Sequence, residues 1–219
     1  MGKIAILHTT PATIGPLDRQ IREKCPDVVI ENFVDDSILP ALQKDMSYLP
    51  YCFEKMLCMA QFAQRQGNEI LLCACSSVGE FIPWAETKLN MKLVRIDDPV
   101  TDYISENYRR ITVMATMPTT LRPSCDNIRR KLQGKDAEIQ TVLLEGAFEA
   151  LQNGDQEKHD ALITQAIASA CSSSDIVFLA QASMARAAAC LDPEAQKKVI
   201  TSVPMCMDRV AELYRSLEA

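Results

Sequence analysis

Short apolar runs alternate with stretches of helical periodicity along the whole chain. The runs are rich in β-branched residues and apolar on both faces, as in strands of a parallel sheet that is covered on both sides. Helices are predicted between them, most clearly over 51–66, where Gly67 supplies a C-terminal stop, and over 161–170. This alternation predicts an α/β fold with parallel sheets and right-handed crossovers. The predicted strands are 3–7, 28–33, 70–75 and 92–96, then 111–115, 138–143, 176–180 and 199–202.

The two halves of the chain align with each other residue by residue. Residues 4–13 match 111–120 at an offset of 107 through a shared Thr-x-Pro-x-Thr turn, and residues 69–77 match 175–183 at an offset of 106. We interpret this as an internal duplication that gives two similar Rossmann-like lobes with a pseudo-two-fold relationship. The expected lobes are 1–98 and 99–204, and a C-terminal helix over about 205–219 can pack back on the first.

Composition and charge narrow the function classes. The 219 residues are 47% hydrophobic and 24% charged, and the net charge of −6 comes without any basic run that would bind phosphates, so nucleic acid is not an expected partner. The N-terminal MGKIAIL lacks the features of a signal peptide, and no apolar run is long enough for a membrane span. The nine cysteines are irregularly spaced. We therefore expect a cytoplasmic protein in which most thiols are small buried hydrophobic groups.

Ligands of open parallel sheets bind beyond the carboxyl ends of the strands, and two lobes can face one cleft there. No Gly-rich phosphate loop is present, so no nucleotide cofactor is implied, and neither His8 nor His159 has metal-ligand spacing to a partner. The residues at the predicted strand ends are mostly small and polar, suited to binding a small anion. They are His8, Thr9, Thr10, Asp35, Asp36, Cys75, Ser76, Ser77, Thr116, Met117, Thr119, Gln181, Ala182 and Ser183.

Cys75 differs from the other cysteines by its position at the end of a buried strand. Ser76 and Ser77 follow it and can cap a helix that begins near Val78 or Gly79. A helix N-terminus favours the thiolate, which makes such a cysteine a candidate base or nucleophile. Cys73 lies two residues deeper in the strand and is expected in the core.

These residues resemble the aspartate/glutamate/hydantoin racemase superfamily. The resemblance rests on HTTPAT at 8–13, VDDS at 34–37, the Cys-Ser-Ser turn at 75–77, Thr116-x-x-Thr119 and DIVFLAQASM at 175–184. It implies a cofactor-independent enzyme in which one cysteine from each lobe faces a substrate Cα, with its site in the interlobe cleft. It implies that Cys75 is catalytic and that Ser76, Ser77, Thr116, Thr119, Ala182 and Ser183 surround the substrate carboxylate, and we add Thr9 and Thr10 to this binding set.

The chain departs from the family pattern at the second cysteine. Gln181 occupies that position by the family pattern and by the internal repeat, and its amide has no proton to exchange near neutral pH. His8 is a candidate for the missing acid or base, although it could equally finish a strand. For Asp35 a role in a turn or helix cap is favoured over proton transfer. Three arginines, Arg95, Arg122 and Arg186, are expected at the solvated surface and not against a second substrate carboxylate.

Three functions stay open. The first is racemase or isomerase chemistry on a small amino or related acid, with Cys75 as the proton-transfer thiol. The second is a one-base lyase such as a malonate-type decarboxylase, in which one thiol protonates an enediolate from one face. The third is a carboxylate-binding protein that has lost catalysis together with its second cysteine. A homodimer is a further expectation.

Overall fold

The computed structural model describes residues 2–217. The chain divides into two compact units, each with one four-stranded parallel sheet. The first unit comprises the chain up to Ile96 and from Pro204 onward, and the second comprises Asp97–Val203. The predicted α/β class with two similar lobes and short parallel sheets is thus confirmed.

The first unit builds its sheet in the order β2-β1-β3-β4. The helices connect the strands, and short 3-10 turns lie at Pro11–Thr13, Met46–Tyr48 and Ser76–Val78. The strands are β1 Lys3–His8, β2 Val29–Val34, β3 Ile70–Cys73 and β4 Lys92–Arg95, and the helices are α1 Ile14–Lys24, α2 Ile38–Lys44, α3 Leu49–Arg65 and α4 Phe81–Ala85.

The second unit repeats this topology in the order β6-β5-β7-β8. A 3-10 turn at Ala182–Met184 follows its third strand. The strands are β5 Arg110–Ala115, β6 Glu138–Leu143, β7 Ile176–Leu179 and β8 Val199–Thr201, and the helices are α5 Asp98–Asn107, α6 Pro118–Lys131, α7 Ala147–Gln152, α8 Gln156–Ala170, α9 Ala185–Ala189 and α10 Pro193–Gln196.

The last helix, α11 (Ser202–Arg215), runs back to the first unit. Asp208 on this helix accepts a hydrogen bond from Lys24 at 2.6 Å, and Lys92 donates to the Ser216 hydroxyl at 2.6 Å. The buried side chains of α11 form one face of the helix. Of the helix predicted over about 205–219, residues 218 and 219 lie outside the described part of the chain.

The registers of the two sheets repeat the sequence alignment of the two halves. Ile4 of β1 pairs with Ile70 of β3, and Ile111 of β5 pairs with Ile176 of β7. All four residues of β3 and of β7 are buried, which explains their continuous apolar sequences. Each fully buried Leu or Ile side chain contributes about 1.5–3 kcal/mol relative to an exposed one, so the central strands anchor each unit.

Both predicted helices are present, and each begins earlier than predicted. The helix predicted over 51–66 is α3, and Gly67 follows it with φ 85°, the left-handed conformation that favours glycine at a helix end. The helix predicted over 161–170 is α8, which begins earlier, at Gln156, because the Asp155 carboxylate caps it by accepting from the Lys158 N–H at 3.0 Å. None of the helices within residues 2–217 is both long and apolar enough to cross a membrane.

Candidate active site at the carboxyl ends of the strands

In each unit the first and third strands end side by side, so the residues that follow them are neighbours. Leu7 pairs with Cys73, which places Thr9 and Cys75 each two residues beyond a paired position. Met114 pairs with Leu179, so the same relation holds for Thr116 and Gln181. The duplication therefore creates two equivalent strand-end corners, one that carries Cys75 and one that carries Gln181.

The Cys75 corner is a tight 3-10 turn. Cys75 has extended backbone geometry and its side chain is partly exposed, whereas the Ser76 and Ser77 residues after it are buried. Cys73 is fully buried, and its thiol lies 3.7 Å from the Cys75 carbonyl oxygen. Cys75 is thus presented at the end of the strand while Cys73 supports the turn from the core, as expected for Cys73.

The expectation that Ser76 and Ser77 cap a helix from Val78 or Gly79 is wrong. The 3-10 turn ends at Val78 and α4 begins only at Phe81, without a side-chain cap. Pro83 gives the reason, because proline is tolerated in the first turn of a helix but its ring would clash with the carbonyl of residue 79 if the helix had begun there. The backbone N–H groups beside Cys75 therefore belong to a single tight turn and not to a long helix.

A buried arginine supports this turn from behind, and the expectation of a solvated Arg95 is wrong. Arg95 ends β4 with 1% exposure and donates to a Glu80 carboxylate oxygen at 2.6 Å. A methyl group on Gly79 would lie 2.6 Å from the Arg95 Cζ atom and closer still to its Nε atom. Gly79 therefore lets the guanidinium pass directly beneath the turn, and only the glycine itself hints at this contact in the sequence.

His8 is buried at the end of β1, with both ring nitrogens hydrogen-bonded. Its Nε2 atom lies 2.8 Å from Asn32 Oδ1 and its Nδ1 atom 2.7 Å from Thr13 Oγ1, while the Asn32 amide donates to Asp18 at 3.1 Å. Because an amide oxygen only accepts, Nε2 carries a proton. Burial lowers the pKa of His8, against smaller opposing effects of the Asn32 hydrogen bond and the Asp18 charge. This environment favours an uncharged ring that holds the turn after β1.

Thr9 and Thr10 in this turn have different surroundings. The Thr9 hydroxyl is buried and has no hydrogen-bond partner among the described residues. The Thr10 hydroxyl accepts from the Ala12 N–H at 3.4 Å, and its carbonyl accepts from Thr13 at 3.2 Å. Thr10 is therefore used within the turn, whereas Thr9 has hydrogen-bonding capacity left for a ligand.

At the second corner, Gln181 contacts the residue that follows β5. Its Oε1 atom accepts from the Thr116 backbone N–H at 2.5 Å and from the Thr116 hydroxyl at 2.9 Å. Ala182 and Ser183 in the next turn are exposed, unlike the buried Ser76 and Ser77. The Thr119 hydroxyl is buried without a partner among residues 2–217. The predicted residues of each corner are thus close in space, but the two corners differ in polarity and access.

Three polar residues that the sequence did not indicate as a group lie on α8 and on α9, the helix that follows the Gln181 turn. His159 at the start of α8 is fully buried, and its Nδ1 atom lies 2.8 Å from Asp160. Arg186 of α9 pairs with the same carboxylate at 2.6 Å and donates to the Gln156 carbonyl at 3.2 Å. Burial raises the pKa of Asp160, but the hydrogen bonds from His159 and Gln156 and the nearby Arg186 outweigh it and hold the pKa below its usual value. The sequence signal for these contacts is His159 itself, the one histidine on a helix face that is otherwise apolar.

The remaining candidates are structural or exposed. The Asp35 carboxylate accepts from the Ser37 N–H at 3.1 Å and pairs with Lys55, which confirms its interpretation as a turn residue. Arg122 is exposed and lies 3.7 Å from Asp126. Within the described part of the chain no group of three or more His, Cys, Asp or Glu side chains is arranged to hold a metal ion.

Comparison with known proteins identifies the family. The family model for Asp/Glu/hydantoin racemases matches residues 4–210, so the chain belongs to the Asp/Glu/hydantoin racemase family, as the resemblance implied. No curated protein gives a significant match.

Solved structures with the same fold include racemases and a decarboxylase. Aspartate racemase from Picrophilus torridus has a TM-score of 0.72 at 13% identity over 99% of this chain and 94% of that one. Allantoin racemase from Klebsiella pneumoniae has a TM-score of 0.71 at 15% identity over 100% and 89%. A variant of arylmalonate decarboxylase has a TM-score of 0.63 at 15% identity over 96% and 93%. At these identities the structures establish the shared fold.

Proposed function

We propose that this protein is a cofactor-independent isomerase that transfers a proton at the carbon next to the carboxylate of a small amino or related acid. The observation that supports this best is the Cys75 corner. There a partly exposed thiol at the end of a buried strand adjoins buried serines and the unpartnered Thr9 hydroxyl. A thiol beside hydroxyl and N–H donors is what proton transfer next to a carboxylate needs.

The proposed chemistry begins with substrate binding at the first corner. The Thr9 hydroxyl and the donors of the Ser76–Val78 turn hold the carboxylate, and the Cys75 thiolate removes the neighbouring proton. The electron pair moves into the carboxylate to form an enediolate, and the same donors stabilise its charge. The proton then returns to carbon, either from Cys75 or from a group on the other face.

A one-base lyase is the second candidate, and Gln181 favours it. The Gln181 amide oxygen is held by two donors of Thr116, and an amide cannot act as a general acid or base near neutral pH. In such an enzyme loss of CO2 leaves the enediolate, and the Cys75 thiol protonates it from one face. The relatives of known structure act on aspartate and allantoin and include an arylmalonate decarboxylase, so amino acids, hydantoin-like ureides and substituted malonates are the substrates to test first.

The deciding experiment is incubation with candidate amino, hydroxy and malonic acids in D2O, followed by NMR and chiral chromatography. Deuterium incorporation with inversion identifies a racemase, and CO2 release with one stereochemical outcome identifies a one-base lyase. Measurable binding without any turnover identifies the third alternative, a carboxylate-binding protein.

Cys75→Ser tests the role of the thiol in the same assay. We expect it to reduce exchange or decarboxylation by about 10²–10⁴-fold, the usual range for a lost acid or base. Cys58→Ser is the matched control because Cys58 is exposed on α3, and it should keep wild-type activity. Full activity of Cys75→Ser would disprove the assignment.

The proposed location is the cytoplasm. All nine cysteines are free, which suits a reducing compartment. Sedimentation of the purified chain tests the expected homodimer.

A further inference from the structure

The α3 helix of the first unit is apolar on two of its faces. On the outer face, Tyr51 is 65% exposed and Phe62 is 56% exposed, and Cys58 between them is exposed as well. A surface helix ordinarily carries polar residues on the face that lies away from the core. A second apolar face therefore indicates a contact surface. The core face carries the buried residues Cys52, Phe53, Met56, Ala60 and Ala63.

The outer residues have the spacing of a coiled-coil seam. Tyr51, Lys55, Cys58 and Phe62 lie four, three and four residues apart, and we call these four residues the outer stripe of α3. Lys55 does not place a free charge on the stripe, because its ammonium group pairs with the Asp35 carboxylate. The aliphatic part of the Lys55 side chain is left to cover the stripe.

The second unit shows that the fold does not require an apolar stripe at this place. Its helix α8 corresponds to α3, and an offset of 107, as between Cys52 and His159, aligns the buried positions of the two helices. The three exposed apolar positions of the outer stripe then correspond to exposed polar residues, Lys158, Gln165 and Ser169. The apolar residues on the outside of α3 therefore need an explanation other than the fold of the unit.

The outer stripe is complementary to a second copy of itself in the antiparallel direction. With a two-fold axis between residues 56 and 57, Tyr51 lies against Phe62 of the partner subunit, and Lys55 lies against Cys58 of the partner subunit. The symmetry repeats both contacts. Packing of one aromatic ring on another contributes more than the area that it buries, so the two Tyr–Phe contacts are the main source of affinity.

The charges at the two ends of α3 match in the same orientation. Asp45 lies just before the helix and Arg65 in its last turn, and both are exposed. Antiparallel pairing places the acidic end of one copy beside the basic end of the other, where Arg65 can also lie over the exposed ring of Tyr48 of the partner subunit. Parallel pairing would bring like charges together.

We propose that the outer stripe of α3 is the contact surface of a homodimer in which the two α3 helices pack antiparallel. One pair of helices is at the small end of specific interfaces, so the association is reversible and depends on concentration. The proposal concerns assembly and does not depend on the chemistry assigned to Cys75.

Sedimentation velocity of the full chain over a range of concentrations tests the interface. We expect the wild type to change from monomer to dimer as the concentration rises. Phe62→Glu should raise the dissociation constant at least about 100-fold, because it places an unpaired charge in the seam. Leu143→Glu is the matched control, since it makes the same change at an exposed residue of the edge strand β6, and it should dimerise like the wild type. Thermal unfolding of both variants shows that the fold is intact.

Disulfide formation between two variants tests the orientation. Tyr51→Cys and Phe62→Cys are made in a background that carries Cys58→Ser and Cys190→Ser, which removes the exposed thiols. The two variants are oxidised separately and as a mixture. Only the mixture should give a cross-linked dimer, because each introduced thiol faces the other position on the partner subunit.

The proposal is overturned if Phe62→Glu dimerises like the wild type or if Leu143→Glu abolishes the dimer. A wild type that stays monomeric at every concentration also overturns it and leaves the stripe to a partner of another kind. Cross-linking of either cysteine variant alone would show that the two helices do not pair antiparallel about this axis.

Discussion

Gly79 shows at the level of one residue how the Cys75 turn depends on its support. Its φ of −58° is available to any residue, so the reason for glycine is space and not backbone conformation. Arg95 cannot move aside easily, because it is buried and paired with Glu80.

We predict that Gly79→Ala destabilises the protein by about 1–3 kcal/mol, the usual cost of overpacking, and lowers kcat because the turn carrying Cys75 shifts. Urea unfolding and the exchange assay measure the two effects. Gly15→Ala is the control, since Gly15 is exposed in α1 with nothing near its missing methyl group, and it should be neutral or slightly stabilising. Equal effects of both substitutions would contradict the steric explanation.

His8 gives the protein a pH-dependent stability. Burial lowers its pKa in the folded state below the ordinary value of 6.5, so protonation favours the unfolded chain. The free energy of unfolding should therefore be constant for this group above pH 6.5 and decrease as the pH falls towards its folded-state pKa.

Urea unfolding at pH 7.5 and 5.5 tests this prediction. The wild type should lose stability between the two values, and His8→Gln should lose clearly less, although it is less stable at both. The carboxylates with lowered pKa, Asp35, Asp45, Asp160 and Asp175, start from an ordinary value of 3.8 and titrate below this window. The same slope in His8→Gln would assign the effect to another group.

At the level of elements, the sequence predicted the strands better than the turns. Continuous apolar runs mark buried parallel strands, and all eight strands lie within about two residues of their predicted bounds. The equivalence of Gln181 and Cys75 also followed from sequence alone, because the internal repeat aligns the two positions. The helix start predicted after Ser77 was wrong because Pro83 delays the start of α4 to Phe81. The Arg95–Glu80 and Arg186–Asp160 contacts arise only when separate elements of the chain pack together.

The contact between α8 and α9 holds the segment that follows Gln181. We predict that Asp160→Asn lowers stability by about 1–3 kcal/mol, because a charged acceptor is lost and buried His159 loses an ionised partner. Amide hydrogen exchange over 181–189 should also accelerate. Asp126→Asn removes exposed ion pairs with Arg122 and Arg129 and should change stability by no more than about 0.5 kcal/mol. Unchanged exchange over 181–189 would show that the ion pair does not hold this segment.

At the level of the whole molecule, the two halves share one architecture but differ in the side-chain contacts between their helices. The same strand order and register occur twice. Beside the Cys75 turn, Phe53 of α3 packs against Phe81 and Trp84 of α4, whereas the corresponding helices of the second unit carry the His159–Asp160–Arg186 contacts. One unit thus packs aromatic side chains between these helices, and the other places a buried histidine and an ion pair there.

The two units also differ in how the chain builds them, and this leads to a prediction about folding. The second unit is one continuous segment, but the first is completed by α11 from the other end of the chain. On α11, Cys206, Met207 and Val210 are fully buried, so removing the helix exposes apolar surface on itself and on the first unit.

We therefore predict that residues 97–203 expressed alone unfold cooperatively in urea, whereas residues 1–96 alone do not fold. A fusion of residues 204–219 to the fragment 1–96 through a flexible linker should restore a cooperative transition. Replacing Val210 by Asp in that fusion is the matched control and should abolish the recovery, because it places an unpaired charge on the buried face of α11. Cooperative unfolding of 1–96 without the helix would show that the first unit is complete before the chain returns to it.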